Sequence, residues 1–251
     1  PAGGWSPSRA ARTVAAAAIV SLLWGAVLAP WLGDRAARRA RRLQAAGVAD
    51  MERAAWLVPL HPGYRHDLAM AALNTPPFDV ERYAGAVRRL QEACRLKPID
   101  HRYPLLLARL LGEGAPRLFT APGVDREAAG LYREAVRLAP LDPRPRLEAA
   151  GFLGTRDRPE EALGLVREAL VLEPHYVRAR ILEVRILLDL GRKEEAERSR
   201  ALLAGVLARI QGIRPESGYA REILADSPAE RARLRAVAGG RAEPRSGPAT
   251  R

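Results

Sequence analysis

The chain has 251 residues, 48% of them hydrophobic and 28% charged, with a formal net charge of +12. One cysteine, Cys94, excludes an internal disulfide framework and a multi-cysteine metal site, and leaves the redox compartment undecided. The basic excess is almost all arginine, with Lys97 and Lys193 the only lysines; it is spread along the chain without an aromatic-interleaved platform, which argues against nucleic acid as a partner.

Residues 1–12 are a flanking segment. From Thr13 to Leu32 no residue is charged. A helix of that length covers about 30 Å, the thickness of a bilayer's hydrocarbon core. A soluble core helix rarely stays apolar on every face for so long. A signal peptide would need a small-x-small cleavage site, and the candidate, Val27-Leu28-Ala29, is followed by Pro30, which hinders cleavage. Five arginines then follow at Arg35, Arg38, Arg39, Arg41 and Arg42. The segment therefore reads as a transmembrane helix with a basic cluster at the membrane surface, where anionic headgroups would meet it. Trp31 stands where an aromatic belt is expected, whereas Trp24 lies well inside. Ala17, Ser21, Gly25 and Ala29 form a small-residue stripe, expected to pack against another transmembrane helix.

Next comes a pattern that recurs. Ala54, Leu57 and Pro59 share their spacing with Ala93, Leu96 and Pro98, with Ala135, Leu138 and Pro140, and with Ala169, Leu172 and Pro174. It extends backwards through Gly47 and Met51, Ala86 and Leu90, Ala128 and Tyr132, and Ala162 and Val166. Offsets of four and seven put these residues on one helical face. Small residues there admit a close neighbouring helix, the larger one fills the gap, and the proline ends the helix. The prolines lie 39, 42 and 34 residues apart, a period that signals stacked helix pairs. A last unit keeps Gly191 and Ala196 but carries Arg200 and Ala208 at the bulky and proline positions, as a terminal cap would.

This small–large–small spacing before proline resembles the second helix of tetratricopeptide repeats, over roughly residues 34–212. First helices are then expected at 64–74, 101–112, 144–153 and 176–190. The predicted fold class is all-α: an N-terminal transmembrane helix, then a tetratricopeptide-like α-solenoid of helical hairpins over 33–212. Gly and Pro in GEGAPRLFTAPG (112–123) predict a loop, with Leu118 and Phe119 folding back onto the repeats. NTPPFD (74–79) predicts a turn, with Asp79 capping the next helix. Beyond the repeats, short helices are expected within 213–238, one at 218–226 and one from a capping box, Ser227 to Glu230. Residues 239–251 have little to bury and read as disordered.

No phosphate loop, dinucleotide fingerprint, zincin motif or nucleophile elbow occurs in the sequence. His61, His101 and His175 each follow a repeat proline, and neither they nor His66 gather into a ligand set, so no metal or cofactor is expected. Glu160, Glu161, Glu194 and Glu195 open second helices, where carboxylates complement the helix dipole. Cys94 falls inside a helical pattern and reads as an inert thiol. What remains is interaction: stacked hairpins offer a concave face to a protein partner.

The order of parts, an apolar span, an arginine-rich junction and degenerate repeats, resembles the C-terminal end of bacterial O-antigen ligase or polymerase family membrane proteins. AVRLAPLDPRPRLEAAGFL (135–153) and RPEEALGLVREALVLEPHYVRARILEVRILLDLG (158–191) have the texture of their tails, and GYAREIL (218–224) is similar to what ends some of them. The resemblance implies that spans lie upstream of Pro1, that the stripe packs against them, and that glycan transfer from a lipid-diphosphate carrier resides there; no position here matches the family's catalytic residues. A single-span, membrane-tethered scaffold for an envelope, secretion or cofactor-assembly complex is the alternative. Either implies a bacterial inner membrane, and the arginines after the span place the repeats in the cytoplasm.

Overall fold

The computed structural model describes residues 9–43, 48–74, 80–118, 123–210, 213 and 216–224. These residues are helix and turn, with no strand among them. The chain forms two compact units, Pro1–Leu107 and Ala108–Arg251.

In the first unit, α1 (Arg9–Leu23) passes through a π-helical turn (Trp24–Leu28) straight into α2 (Ala29–Leu43). The stretch Thr13–Arg42 is long and apolar enough to cross a membrane, and its apolar window is almost wholly exposed. At Ala29 the character changes. Ala29, Gly33, Ala37 and Ala40 are buried, and α2 packs as a hairpin against α3 (Val48–Leu57). Gly33 is required here: a Cβ on it would come 2.9 Å from Val58 Cγ2 and 3.5 Å from the Ala54 carbonyl. Ala37, Ala40, Met51, Ala54, Ala55, Tyr64 and Leu68 make the first core cluster. α4 (Pro62–Asn74) pairs with α5 (Val80–Leu96), which buries Tyr83, Ala86, Leu90 and Ala93. The unit ends within α6 (Arg102–Leu118).

The second unit takes up α6 from Ala108 and adds α7 (Val124–Leu138), the hairpins α8 (Pro143–Gly154)/α9 (Pro159–Leu172) and α10 (Val177–Asp189)/α11 (Lys193–Arg209), and the short α12 (Gly218–Leu224). Val177, Leu203, Val206, Leu207 and Ile210 form its terminal core, with Ile181 and Leu224 packed against it.

The four repeat prolines do one job. Each is the second residue of a turn closed by a backbone bond from the fourth residue's N–H to the first residue's carbonyl: His61 to Val58 (3.1 Å), Asp100 to Lys97 (3.2 Å), Asp142 to Ala139 (3.1 Å) and Tyr176 to Glu173 (3.1 Å). Proline presets φ at that position, where no N–H is needed. Asp100 and Asp142 then accept the backbone N–H of Arg102 (3.3 Å) and Arg144 (3.0 Å), capping α6 and α8.

The expected loop at 112–123 is corrected. α6 continues through Pro116 to Leu118. A helical proline leaves the carbonyl four residues back without its donor, here that of Gly112. Arg156 Nη2 takes the donor's place, bonding to the Gly112 carbonyl at 3.0 Å. Gly112 also lets α8 come close: a Cβ there would meet Phe152 Cδ2 at 2.8 Å. Phe119, the 75–79 turn with Asp79, the capping box at 227–230, the helix expected to about 237 and the tail 239–251 lie outside the described residues.

Candidate functional site

The second unit carries a groove on its first-helix side. α6, α8 and α10 line it, α12 stands at one end, and its volume is about 710 Å³. Arg109 and Glu113 come from α6, Leu147, Glu148 and Gly151 from α8, Arg178 from α10 and Glu222 from α12. Three of the first helices, with Tyr132 of α7, therefore supply its walls, and Gly151 keeps part of them low.

Its electrostatics are mixed rather than of one sign. Arg109 forks onto Glu148, with Nε 3.1 Å from Oε2 and Nη2 in contact with Oε1. Burial is the largest influence on both. It pushes the Glu148 carboxyl above its ordinary range, with Arg109 pulling the other way and the Glu222 and Glu113 carboxylates adding to the rise. On Arg109 the lowering by burial is outweighed by the hydrogen bond to Glu148, so the guanidinium stays charged. Tyr176 donates to Glu222 Oε1 at 3.3 Å, and burial followed by that carboxylate raises its hydroxyl. Tyr219 donates to Glu173 Oε2 at 3.4 Å, and Arg144 lies 5.9 Å over the Tyr219 ring. These contacts, with buried Ile223, seat α12 at the groove's end.

A second cleft of about 740 Å³ opens between α7 and α9 over α8. Its floor holds the Tyr132–Phe152 ring pair, with centroids 5.2 Å apart. Two ion pairs stand on its rim, Arg156 with Asp125 (2.9 Å) and Arg158 with Glu161 (2.6 Å), beside the further charges of Arg126, Arg133 and Glu168.

Neither cleft gathers a nucleophile with a base, and no cluster able to hold a metal ion occurs among the described residues. His66 Nδ1 lies 3.0 Å from Asp67 Oδ1, and His61 stacks on Tyr64 with centroids 4.1 Å apart.

Solved structures share this arrangement of helix pairs. The MamA fragment from Desulfovibrio magneticus RS-1 is 16% identical, with a TM-score of 0.56, covering 75% of this chain and 98% of its own. A thermophilic TPR protein of Thermus thermophilus is 18% identical, with a TM-score of 0.54, covering 83% and 98%. YrrB, described as a TPR protein with an unusual peptide-binding site, is 14% identical, with a TM-score of 0.54, covering 76% and 91%. The fold is tetratricopeptide-like. At these identities the likeness concerns the fold alone. No protein-family model matches the chain, and no curated protein matches it.

On this tetratricopeptide-like frame the sequence-picked residues fall as follows. Ala54, Ala86, Leu90, Ala93, Ala128, Ala135, Ala162, Val166, Ala169 and Ala196 have no exposed surface, Tyr132 is 4% exposed, and Leu57 is half-buried. Ala17, Ser21 and Gly25 are exposed, and nothing comes within 4 Å of a Cβ on Gly25; Ala29 is buried. Of the arginine cluster, Arg38 pairs with Asp34, Arg39 with Asp50 (3.2 Å) and Arg41 with Asp67 (3.1 Å); Arg35 lies 5.5 Å over the Trp31 ring, and Arg42 is exposed.

Sequence reasoning missed the groove residues Arg109, Glu148, Tyr176 and Glu222. It also missed a buried polar node in which Ser199 donates to Glu183 at 2.7 Å, with Arg180 and Arg167 beside it. Only Glu183's place on the buried face of α10, among Val184, Ile186 and Leu187, would have marked it.

Proposed function

We propose that this chain is a membrane-anchored docking domain that binds a segment of a partner protein along the α6–α8–α10 groove. The observation that carries the reading is the groove itself: first helices of successive pairs supply acidic and basic side chains, Arg109, Glu113, Glu148 and Arg178, beside the open Gly151. Such a surface suits an extended polypeptide with charges of both signs. YrrB's description as peptide-binding supports it by analogy of fold. The test is a photo-crosslinker placed at Gly151, which is open to the groove. It should capture a protein in the native host, and Arg178→Glu should reduce the yield with helicity unchanged. No capture above that from an exposed control position such as Glu127 would refute the groove as a docking site.

The exposed apolar helix supports placing Thr13–Leu32 in a bilayer, with the exposed Arg42 and the Trp31-stacked Arg35 at its surface and Ala17, Ser21 and Gly25 of the stripe against other spans, Ala29 being already covered within the chain. The order of span, basic junction and repeats supports a finer reading, the tail of an O-antigen ligase or polymerase-type protein of the bacterial inner membrane with its repeats in the cytoplasm. Intact mass from the native host tests it: a mass well above the 27.4 kDa of these residues, with apolar spans upstream, supports the ligase reading, and a mass near it supports the single-span scaffold. An impermeant thiol reagent acting from outside on a cysteine introduced within 239–251 would refute the cytoplasmic placement.

A further inference from the structure

α2 and α3 run antiparallel. Arg39 meets Asp50 at one end of the pair, and Gly33 meets Val58 at the other. That register brings the α3–α4 turn, residues 58–61, level with Ala29–Gly33. The charge-free window ends at Leu32. A hairpin that packs from Ala29 therefore cannot stand clear of a bilayer holding that window. By the same register Trp56 falls on the order of 5 Å beyond Leu32. The headgroup layer adds roughly 5–7 Å on each side of the hydrocarbon core.

The turn's surface fits that location. Trp56 and Leu60 are both 76% exposed. Leu60 alone carries nothing, because its counterparts Ile99 and Leu141 are as exposed, at 76% and 83%. Trp56 is different. The next two repeats put exposed arginines, Arg95 and Arg137, at its position, and the fourth puts Val171 there, 81% exposed but without an indole's amphipathic ring. A large indole thus replaces a solvated cation in the one repeat fused to the apolar helix. Indoles favour the headgroup level, where the ring is partly desolvated and the N–H stays wet. Trp31 lies one turn, about 5 Å, closer to the bilayer centre, and its partner Arg35 is level with Trp56, where a guanidinium meets phosphates.

We propose that the α3–α4 turn is a second membrane contact, with Trp56 and Leu60 seated in the lipid headgroup–acyl boundary and holding the first hairpin against the bilayer. The inference rests on the reading of Thr13–Leu32 as a span. The test uses the full chain in vesicles of phosphatidylcholine with a phosphatidylglycerol fraction, in two single-tryptophan forms. One keeps Trp56 through Trp5→Phe, Trp24→Phe and Trp31→Phe; the other keeps Trp24 through Trp5→Phe, Trp31→Phe and Trp56→Phe. Trp56 emission should be blue-shifted, and lose more intensity to lipids brominated near the headgroup than to lipids brominated near the chain ends. Water-like, unquenched Trp56 emission beside a quenched Trp24 would overturn the contact and leave the span standing. If neither is quenched, the span fails and the contact with it.

Discussion

Arg156 is expected to matter because of a proline forty residues earlier. Pro116 has no N–H to offer the Gly112 carbonyl, and Arg156 supplies the donor at 3.0 Å. Arg156→Met keeps much of the stem's bulk and removes that donor. A buried carbonyl left unpaired costs about 1–3 kcal/mol. The Asp125 ion pair, whose acid is 60% exposed, adds less than about 1 kcal/mol, and the guanidinium 4.9 Å over Phe152 adds about 0.5–1 kcal/mol. The total is about 1.5–5 kcal/mol. The ion pair and ring contributions are independent of Pro116, but the carbonyl's is not. Pro116→Ala restores a helical N–H to Gly112, so in that background Arg156→Met should cost less by about 1–3 kcal/mol. Urea unfolding of the four proteins of this cycle in mild detergent, followed by far-ultraviolet circular dichroism, measures the coupling. A cost for Arg156→Met that is equal in the two backgrounds within about 0.3–0.5 kcal/mol would refute the reasoning.

Three further outcomes are expected. Ala169→Arg would drive a charge into a seam position with no exposed surface and should abolish cooperative unfolding, a loss above about 4 kcal/mol; a melting curve like that of the parent would count against the repeat packing. Burial pushes the Cys94 thiol up to about 11 from 9.0. At pH 8 it should therefore alkylate on the order of a hundredfold more slowly than in the urea-unfolded chain, from its thiolate fraction alone; equal rates would contradict that environment. Hydrogen bonding from Arg102 holds the Asp100 carboxyl well below its ordinary 3.8, against the opposing effect of burial. Its contribution is then fully present above the unfolded value and lost as pH falls toward the folded one, so Asp100→Asn should destabilise by about 1 kcal/mol at pH 7 and progressively less below pH 4. Urea midpoints that differ by the same amount at pH 7 and pH 3 would show that the charge is not the cause.

The fold was legible because its signals are local. Expected first helices at 64–74, 144–153 and 176–190 correspond to Pro62–Asn74, Pro143–Gly154 and Val177–Asp189, since each follows a proline turn that writes itself into four residues. The end of α6 was not legible. Glycine and proline at 112–116 carry a breaker signal, and the group that neutralises it, Arg156, lies 44 residues away. The groove was hidden for the same reason: Arg109 and Glu148 stand 39 residues apart, and the Glu222 that meets Tyr176 is 46 residues off. In stacked helix pairs the packing face repeats and can be read, whereas the solvent face varies from pair to pair and leaves no period.

The unbroken run from Arg9 to Leu43 makes the apolar rod and the first helix of the first pair a single lever. No linker uncouples them, so a rotation or lean of the upper part turns the lower part with it. α2 is 15 residues long, or about 22 Å, and a lean of about 20°, ordinary for helices in bilayers, sweeps its far end sideways by about 8 Å. On the proposed placement of that rod in a bilayer, hydrophobic mismatch, which a span relieves in part by tilting, would thereby become a mechanical input to the attitude of the first hairpin.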